Sequence, residues 1–324
     1  MSGLLPLFDR DDDQAPQAAR LAPKLKALAA EGVYFGTSSW KYQGWLGGIY
    51  RPERYDSQGK FSKKKFESEC LVEYAETFPI VCGDFTFYQF PSQDHWTRLF
   101  QGIPASLRFG FKVPEDITVA RWPSHARYGT RAGTNNEHFL DVTPFRTLFT
   151  RRLEPFADRV ATLILEFGTF AKSTFPTPAD FLAAIEPFLE ALPGGFRYSI
   201  EIRNPEYLRP EYFDLLSRHN VAHVLSAWTR MPELGAQAEL PGVFSADFTV
   251  VRALLSRGRG YEQAVRAFEP YELAREPNEP VRDALSRIAA GARQQRKPAF
   301  LFVNNRLEGH APTTIEAVAD RLGP

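Results

Sequence analysis

The feature that most constrains this chain is an alternation. Eight short apolar stretches are separated by segments with helical spacing, and each stretch ends in polar or aromatic residues. The spacing predicts strands over 33–37, 80–90, 108–113, 160–167, 196–202, 221–226, 246–253 and 299–303. They close on Ser38, Ser39 and Trp40, on Phe87 and Tyr88, on Lys112, on Glu166, on Glu201 with Arg203, on Ser226, on Arg252, and on Asn304 and Asn305. Strands joined through helices pair in parallel, because a tight turn cannot reverse and realign the chain in that order. Eight such units predict an α/β fold, a single (β/α)8 TIM barrel whose strand ends all meet at one mouth. The alternative is an open doubly wound sheet. Gly36 starts no G-x-G-x-x-G run and no P-loop is present, so the nucleotide fingerprint of that fold is missing.

The chain has 324 residues, which one barrel with long loops accommodates. We read residues 1–30 as a leader and 31–324 as the barrel domain. The leader starts acidic, with Asp9, Asp11, Asp12 and Asp13, and ends in an expected surface helix around Leu21–Leu28. A basic start followed by an apolar run is missing, so no signal peptide is expected. Helix punctuation is clear at Ser92, an N-cap before 93–100, and at Thr177-Pro178, an N-cap followed by Pro at the first position. Pro187 is expected to kink that helix and Gly194-Gly195 to end it. Further helices are expected over 144–157, 210–219, 282–296 and 312–322. Segments 115–143 and 254–281 read as long βα loops, a length that points to functional or mobile segments.

Lys plus Arg and Asp plus Glu number 39 each, so the whole chain offers no field that selects nucleic acid or a membrane surface. No apolar run is long enough to span a bilayer. The two cysteines, Cys70 and Cys82, fit neither a disulfide framework nor a metal spacing, and both read as reduced core residues. A cytoplasmic protein is the expectation.

The strand ends carry the candidate chemistry. Lys112, Arg203 and Arg252 place three cations around one concavity, which suits an anionic ligand, since guanidinium groups bind carboxylate or phosphate in bidentate fashion. Glu166 and Glu201 end adjacent strands and can divide acid and base roles if their environments separate their pKa values. Lys112 serves equally as a base of lowered pKa or an imine-forming amine. These three are the candidate catalytic residues. The competing reading pairs the same charges as a structural ion network. Asn304 and Asn305 can hydrogen-bond a ligand oxygen or stabilise a turn. Ser38, Trp40, Tyr88 and Trp228 can wall a pocket for a sugar or other ring. Among the six histidines only His219 and His223 have an i, i+4 separation, but a helix end between them should make them diverge. No metal and no cofactor is expected. The ligand expected is a small anion or polyol. Nucleic acid is the alternative, through Lys63, Lys64 and Lys65 and the arginines of 257–266.

One run carries further information. Gly36-Thr37-Ser38-Ser39-Trp40-Lys41-Tyr42, followed by Trp45 and Tyr50, resembles the opening of the YecE-like family, domain of unknown function 72. Later segments agree in order: Thr86 to Pro91, Phe111 to Pro114, Leu163 to Phe167, Glu201 to Pro205, Phe302 to Asn305, and Gly309 to Ala311. The resemblance implies a TIM barrel without an established reaction. A likeness to sugar isomerases and to barrel endonucleases of base-excision repair goes with it; the latter would need a rich His and acidic set that these strand ends lack. The sequence departs from the family pattern at Cys82 and Asp84, where Glu and Asn are usual. It also departs at Glu166-Phe167-Gly168-Thr169, where Gln-Phe-Pro-Pro is usual, and at Ser226 or Ala227, where an acid is common. A His expected after the third strand is missing. These departures imply altered or lost chemistry, and with it a non-catalytic binding protein.

Overall fold

The computed structural model describes residues 15–323. Eight parallel strands form a closed barrel: β1 (Val33–Thr37), β2 (Ile80–Gly83), β3 (Arg108–Lys112), β4 (Val160–Glu166), β5 (Tyr198–Glu201), β6 (Ala222–Ala227), β7 (Thr249–Ala253) and β8 (Ala299–Val303). Neighbours in sequence are neighbours in the sheet. β1 closes the ring by pairing with β8 along its length and with β2 at Gly36 and Thr37.

Two apolar layers follow from the alternation of side chains along each strand. Inside the barrel lie Ile80, Cys82, Ile164, Val224, Val250, Phe248, Phe300 and Phe302. Outside, Phe35, Phe109, Phe111, Leu163, Leu165, Val251 and Leu301 pack beneath the helices. Small residues make the interior fit. A Cβ on Gly110 would lie 2.7 Å from the Phe302 ring, and one on Gly36 would lie 1.9 Å from the Ile80 carbonyl oxygen. Gly110 leaves the interior to a phenylalanine ring, and Gly36 lets two backbones approach.

Several expectations are corrected here. The second strand does not reach residue 90. It stops at Gly83, and Asp84–Tyr88 coils into a 3-10 turn. Thr86 holds that turn, its hydroxyl within 3.0 Å of the Gly83 carbonyl and hydrogen-bonded to the Lys112 carbonyl. The helix Gln17–Ala30 lies on the surface as expected and docks by one face, with Leu21, Leu25 and Leu28 buried in the main core. The expected helix over 144–157 is a broken run, with a π turn at Phe145–Thr150 and a 3-10 turn from Glu154, where Pro155 lacks the donor a helix needs. The helix Pro178–Glu190 has its capping box on Thr177 and Asp180, but it runs through Pro187 and ends before Gly194. Segment 254–281 contains a helix, Tyr261–Phe268. Within segment 115–143, buried Glu115 accepts hydrogen bonds from Arg127 (2.7 Å) and Tyr128 (2.9 Å).

Cys70 and Cys82 are free and buried. Among the described residues, no helix is long and apolar enough to cross a membrane.

The packing of Gly110 against Phe302 is testable. Gly110→Val should destabilise the fold by about 1–3 kcal/mol through overpacking, and Phe302→Leu added to it should restore part of that loss. Denaturant unfolding measures both, and an unchanged midpoint for Gly110→Val would contradict this packing.

Candidate functional site

Five strands deliver charged residues to the mouth. Arg252 near the end of β7 is the centre, with its side chain only 1% exposed. Its Nη1 lies 2.6 Å from Glu166 Oε2 and is hydrogen-bonded to Glu201 Oε2, while its Nη2 lies 3.4 Å from Asp84 Oδ1. Lys112 Nζ stands 2.8 Å from Glu166 Oε2 and 3.7 Å from Asp84 Oδ1. Arg203 Nη2 stands 2.9 Å from Glu201 Oε1 and 3.2 Å from Glu166 Oε1. The Ser226 hydroxyl donates to Glu201 Oε1 at 3.0 Å. Three cations thus face three carboxylates, and the cluster carries no net charge.

The pKa directions follow from this pairing. Burial alone would raise the Glu166 carboxyl, but Arg203, Lys112 and Arg252 hold it well below the usual carboxylate range. Glu201 is likewise held down, with Arg252 and Arg203 outweighing its burial. Burial would lower Lys112, yet Glu166 and Asp84 hold its ammonium above the usual value. The expected low-pKa lysine is therefore corrected: its neighbours keep it protonated. The two carboxylates are not split into an acid and a base, because both are held ionised.

Exposure grades the cluster. Glu201 is fully buried, Arg203 is 10% exposed, Glu166 and Lys112 are each 12% exposed, and Asp84 reaches 38%. The sequence marks Asp84 only as a departure from the family pattern and not as a site residue, because an over-long second strand places its end at Phe87 and Tyr88. Gly83 beside Asp84 was the signal for an earlier stop.

The remaining expected residues divide. Arg203 stacks on Trp228, 3.7 Å from the ring centroid, so that face of the indole is occupied. Tyr88 is exposed on the outer rim, where Arg127 lies over its ring, and Phe87 instead covers Lys112 Nζ at 4.9 Å. Asn304 stabilises a turn, its Oδ1 accepting from the Arg306 N–H at 2.9 Å. Asn305 Oδ1 accepts from the Ala311 N–H at 2.7 Å, but its buried Nδ2 has no protein partner. Ser38 Oγ, Arg203 Nε and Arg252 Nε are also buried without a protein partner. Trp40 is half-buried and meets Phe85 edge to face at 6.5 Å.

The family model for "Protein of unknown function DUF72" matches residues 34–324. The chain belongs to the DUF72 family. It is 26% identical over 176 residues to the UPF0759 protein YecE of Escherichia coli K12, an alignment that covers 54% of this chain. The chain spans about half the length of the curated relatives it matches, 50% in this case. Solved DUF72 structures share its fold. One from Enterococcus faecalis V583 has a TM-score of 0.57 at 15% identity and covers 90% of this chain and 96% of its own. One from Thermotoga maritima MSB8 has a TM-score of 0.55 at 18% identity and covers 90% and 98%.

Elsewhere in this DUF72 chain the basic runs are partly paired. Lys63 lies near Glu67, Arg259 near Glu276 and Arg266 near Glu262. No group of three His, Cys, Asp or Glu side chains is placed to hold a metal ion among the described residues. His219 caps the helix Pro210–Arg218, whereas His223 lies on β6, its Nδ1 3.1 Å from the Tyr212 hydroxyl. The two diverge as expected. A separate cavity of about 210 Å³ lies between the helices Leu234–Ala238 and Glu279–Gln295, away from the mouth, and carries no chemical cluster.

Burial lowers the His223 pKa to about 4 and the His310 pKa to about 4. Between that value and the ordinary imidazole value of about 6.5, the unfolded chain binds protons that the folded chain refuses. Stability therefore falls as pH drops below about 6.5. The depressed carboxylates act lower down. Their contribution is complete above the ordinary carboxylate value, about 4.3, and is lost as pH falls towards their folded values. Denaturant unfolding from pH 7.5 to 4.5 should show the first decline, and His223→Phe should flatten its slope. An unchanged slope would contradict the buried neutral imidazole.

Proposed function

We propose that the mouth binds a small hydroxyl-rich ligand and that Glu166 and Lys112 are the groups that hydrogen-bond it. The observation that carries this reading is the charge-balanced cluster. Each cation already has a carboxylate partner, so an anion would have to displace one and leave it buried and unpaired, which is costly. A hydroxyl group both donates and accepts, and can join such a cluster without breaking a charge pair. Arg203 Nε and Arg252 Nε, buried without a protein partner, add donor capacity within the cluster.

Within this reading the exposure gradient assigns roles. Asp84, Glu166 and Lys112 contact the ligand. Glu201 and Arg252 are positioning residues, because their charged groups are engaged by one another beneath it. An ionised carboxylate beside a protonated amine offers an acceptor next to a donor, so one ligand hydroxyl can bond to both. A division of labour between two carboxylates, one of them protonated, is not favoured, since Glu166 and Glu201 are both held ionised.

Titration calorimetry with D-ribose, xylitol and inorganic phosphate tests this. Ribose or xylitol should bind and phosphate should not. Lys112→Met should weaken polyol binding by about tenfold, the worth of one hydrogen bond to a charged group. Binding of phosphate in preference to either polyol would overturn the reading in favour of an anion site.

A further inference from the structure

A cleft of about 460 Å³ opens beside the charged cluster and shares Asp84 with it. Its size lies within the roughly 300–1,000 Å³ range of small-molecule sites. It runs between the Ser38–Lys41 turn after β1 and the helices Lys63–Thr77 and Gln93–Gln101. Its walls differ in character from the cluster. Trp40, Phe85, Leu71 and Leu99 make it mainly apolar. Polar side chains also line it, Ser39, Ser68 and Gln89 among them, and two of its polar atoms, Ser38 Oγ and His95 Nε2, are buried without a protein partner. Ser38 as a whole is only 1% exposed.

Unpartnered polar atoms in an apolar wall have a physical cost, which a ligand carrying matching groups removes. The charges around the cleft select against an ion. Lys41 and Glu67 contribute one of each sign, Asp84 faces Lys112 and Arg252, and burial holds the His95 imidazole below its usual pKa, favouring its neutral form. Aromatic and aliphatic walls interrupted by hydroxyls and a neutral imidazole suit an uncharged ring with polar atoms on its edge.

We infer that this cleft is the second half of the ligand site and holds an uncharged planar ring joined to the hydroxyl-rich part. The inference rests on the polyol reading of the cluster. It narrows the ligand to a glycoside with an aromatic or heteroaromatic aglycone. Aryl glycosides and nucleosides share that chemistry. Asp84 marks the junction, with the sugar on the Lys112 side and the ring on the Trp40 side.

Calorimetry compares each free sugar with its ring-bearing partner: D-glucose with 4-nitrophenyl glucoside, and D-ribose with uridine. At least one partner should bind about tenfold tighter than its free sugar, the scale of an aromatic packing contribution, and which pair shows the gain identifies the source of the ring. Trp40→Ala should remove the gain. Ser68→Trp, which blocks the cleft from an exposed helix position, should also remove it and leave free-sugar affinity unchanged. Equal affinities for sugars and both partners would overturn the cleft inference and leave the polyol reading standing. A gain for uridine or the aryl glucoside over its free sugar that survives Ser68→Trp would overturn it as well. Failure of every sugar and glycoside to bind would overturn both.

Discussion

The architecture of the mouth depends on burying Arg252. A guanidinium at this depth cannot be neutralised by losing its proton, so it is tolerated only where carboxylates surround it. Glu201 supplies one, Glu166 a second and Asp84 a third, from the ends of three other strands. Glu166 and Glu201 are themselves desolvated and need cations, which brings Lys112 and Arg203 into the same arrangement. The group is self-consistent only as a whole. Beneath it the barrel is apolar, with Phe248, Phe300 and Phe302 filling the interior.

This arrangement separates what is fixed from what is free to act. Glu201 is held by Arg203, Arg252 and Ser226, which leaves its charge and orientation set. Asp84, Glu166 and Lys112 stand nearer the opening. On the opposite side, the turn after β8 is held by buried Glu308, which pairs with Arg282 at 2.7 Å and accepts from Thr314 at 2.7 Å and from the Asn278 N–H at 2.7 Å. That clasp ties the helix Glu279–Gln295 and the segment before it to the mouth. The proposed site is held in place before any ligand arrives, which on that reading keeps the cost of reorganisation small.

The barrel was legible because its signal is repeated. Each strand carries the same apolar run, and parallel pairing leaves one way to close eight of them. Lys112, Glu166, Glu201, Arg203 and Arg252 were legible as strand-end residues for the same reason. What they do to one another was not. Whether three cations bind an anion or bind three acids depends on distances across the barrel, and Asp84 entered the group only once β2 was seen to stop at Gly83. The direction of the Lys112 pKa was hidden likewise, since burial and the neighbouring carboxylates oppose each other and only geometry decides between them. Asn304 and Tyr88 have the composition of a binding wall but serve a turn and a rim, because their hydrogen-bonding and stacking partners, Arg306 and Arg127, come from loops whose course the pattern does not encode.

The central claim is that the charges at the mouth are interdependent. A double-mutant cycle on Glu201→Leu and Arg252→Met, read by denaturant unfolding, tests it most directly. Each single change should cost about 3–5 kcal/mol by leaving a buried charge without its partner. The double variant should cost less than the sum of the two by at least about 2 kcal/mol. Additive losses would contradict the account, because they would mean that Glu201 and Arg252 contribute independently.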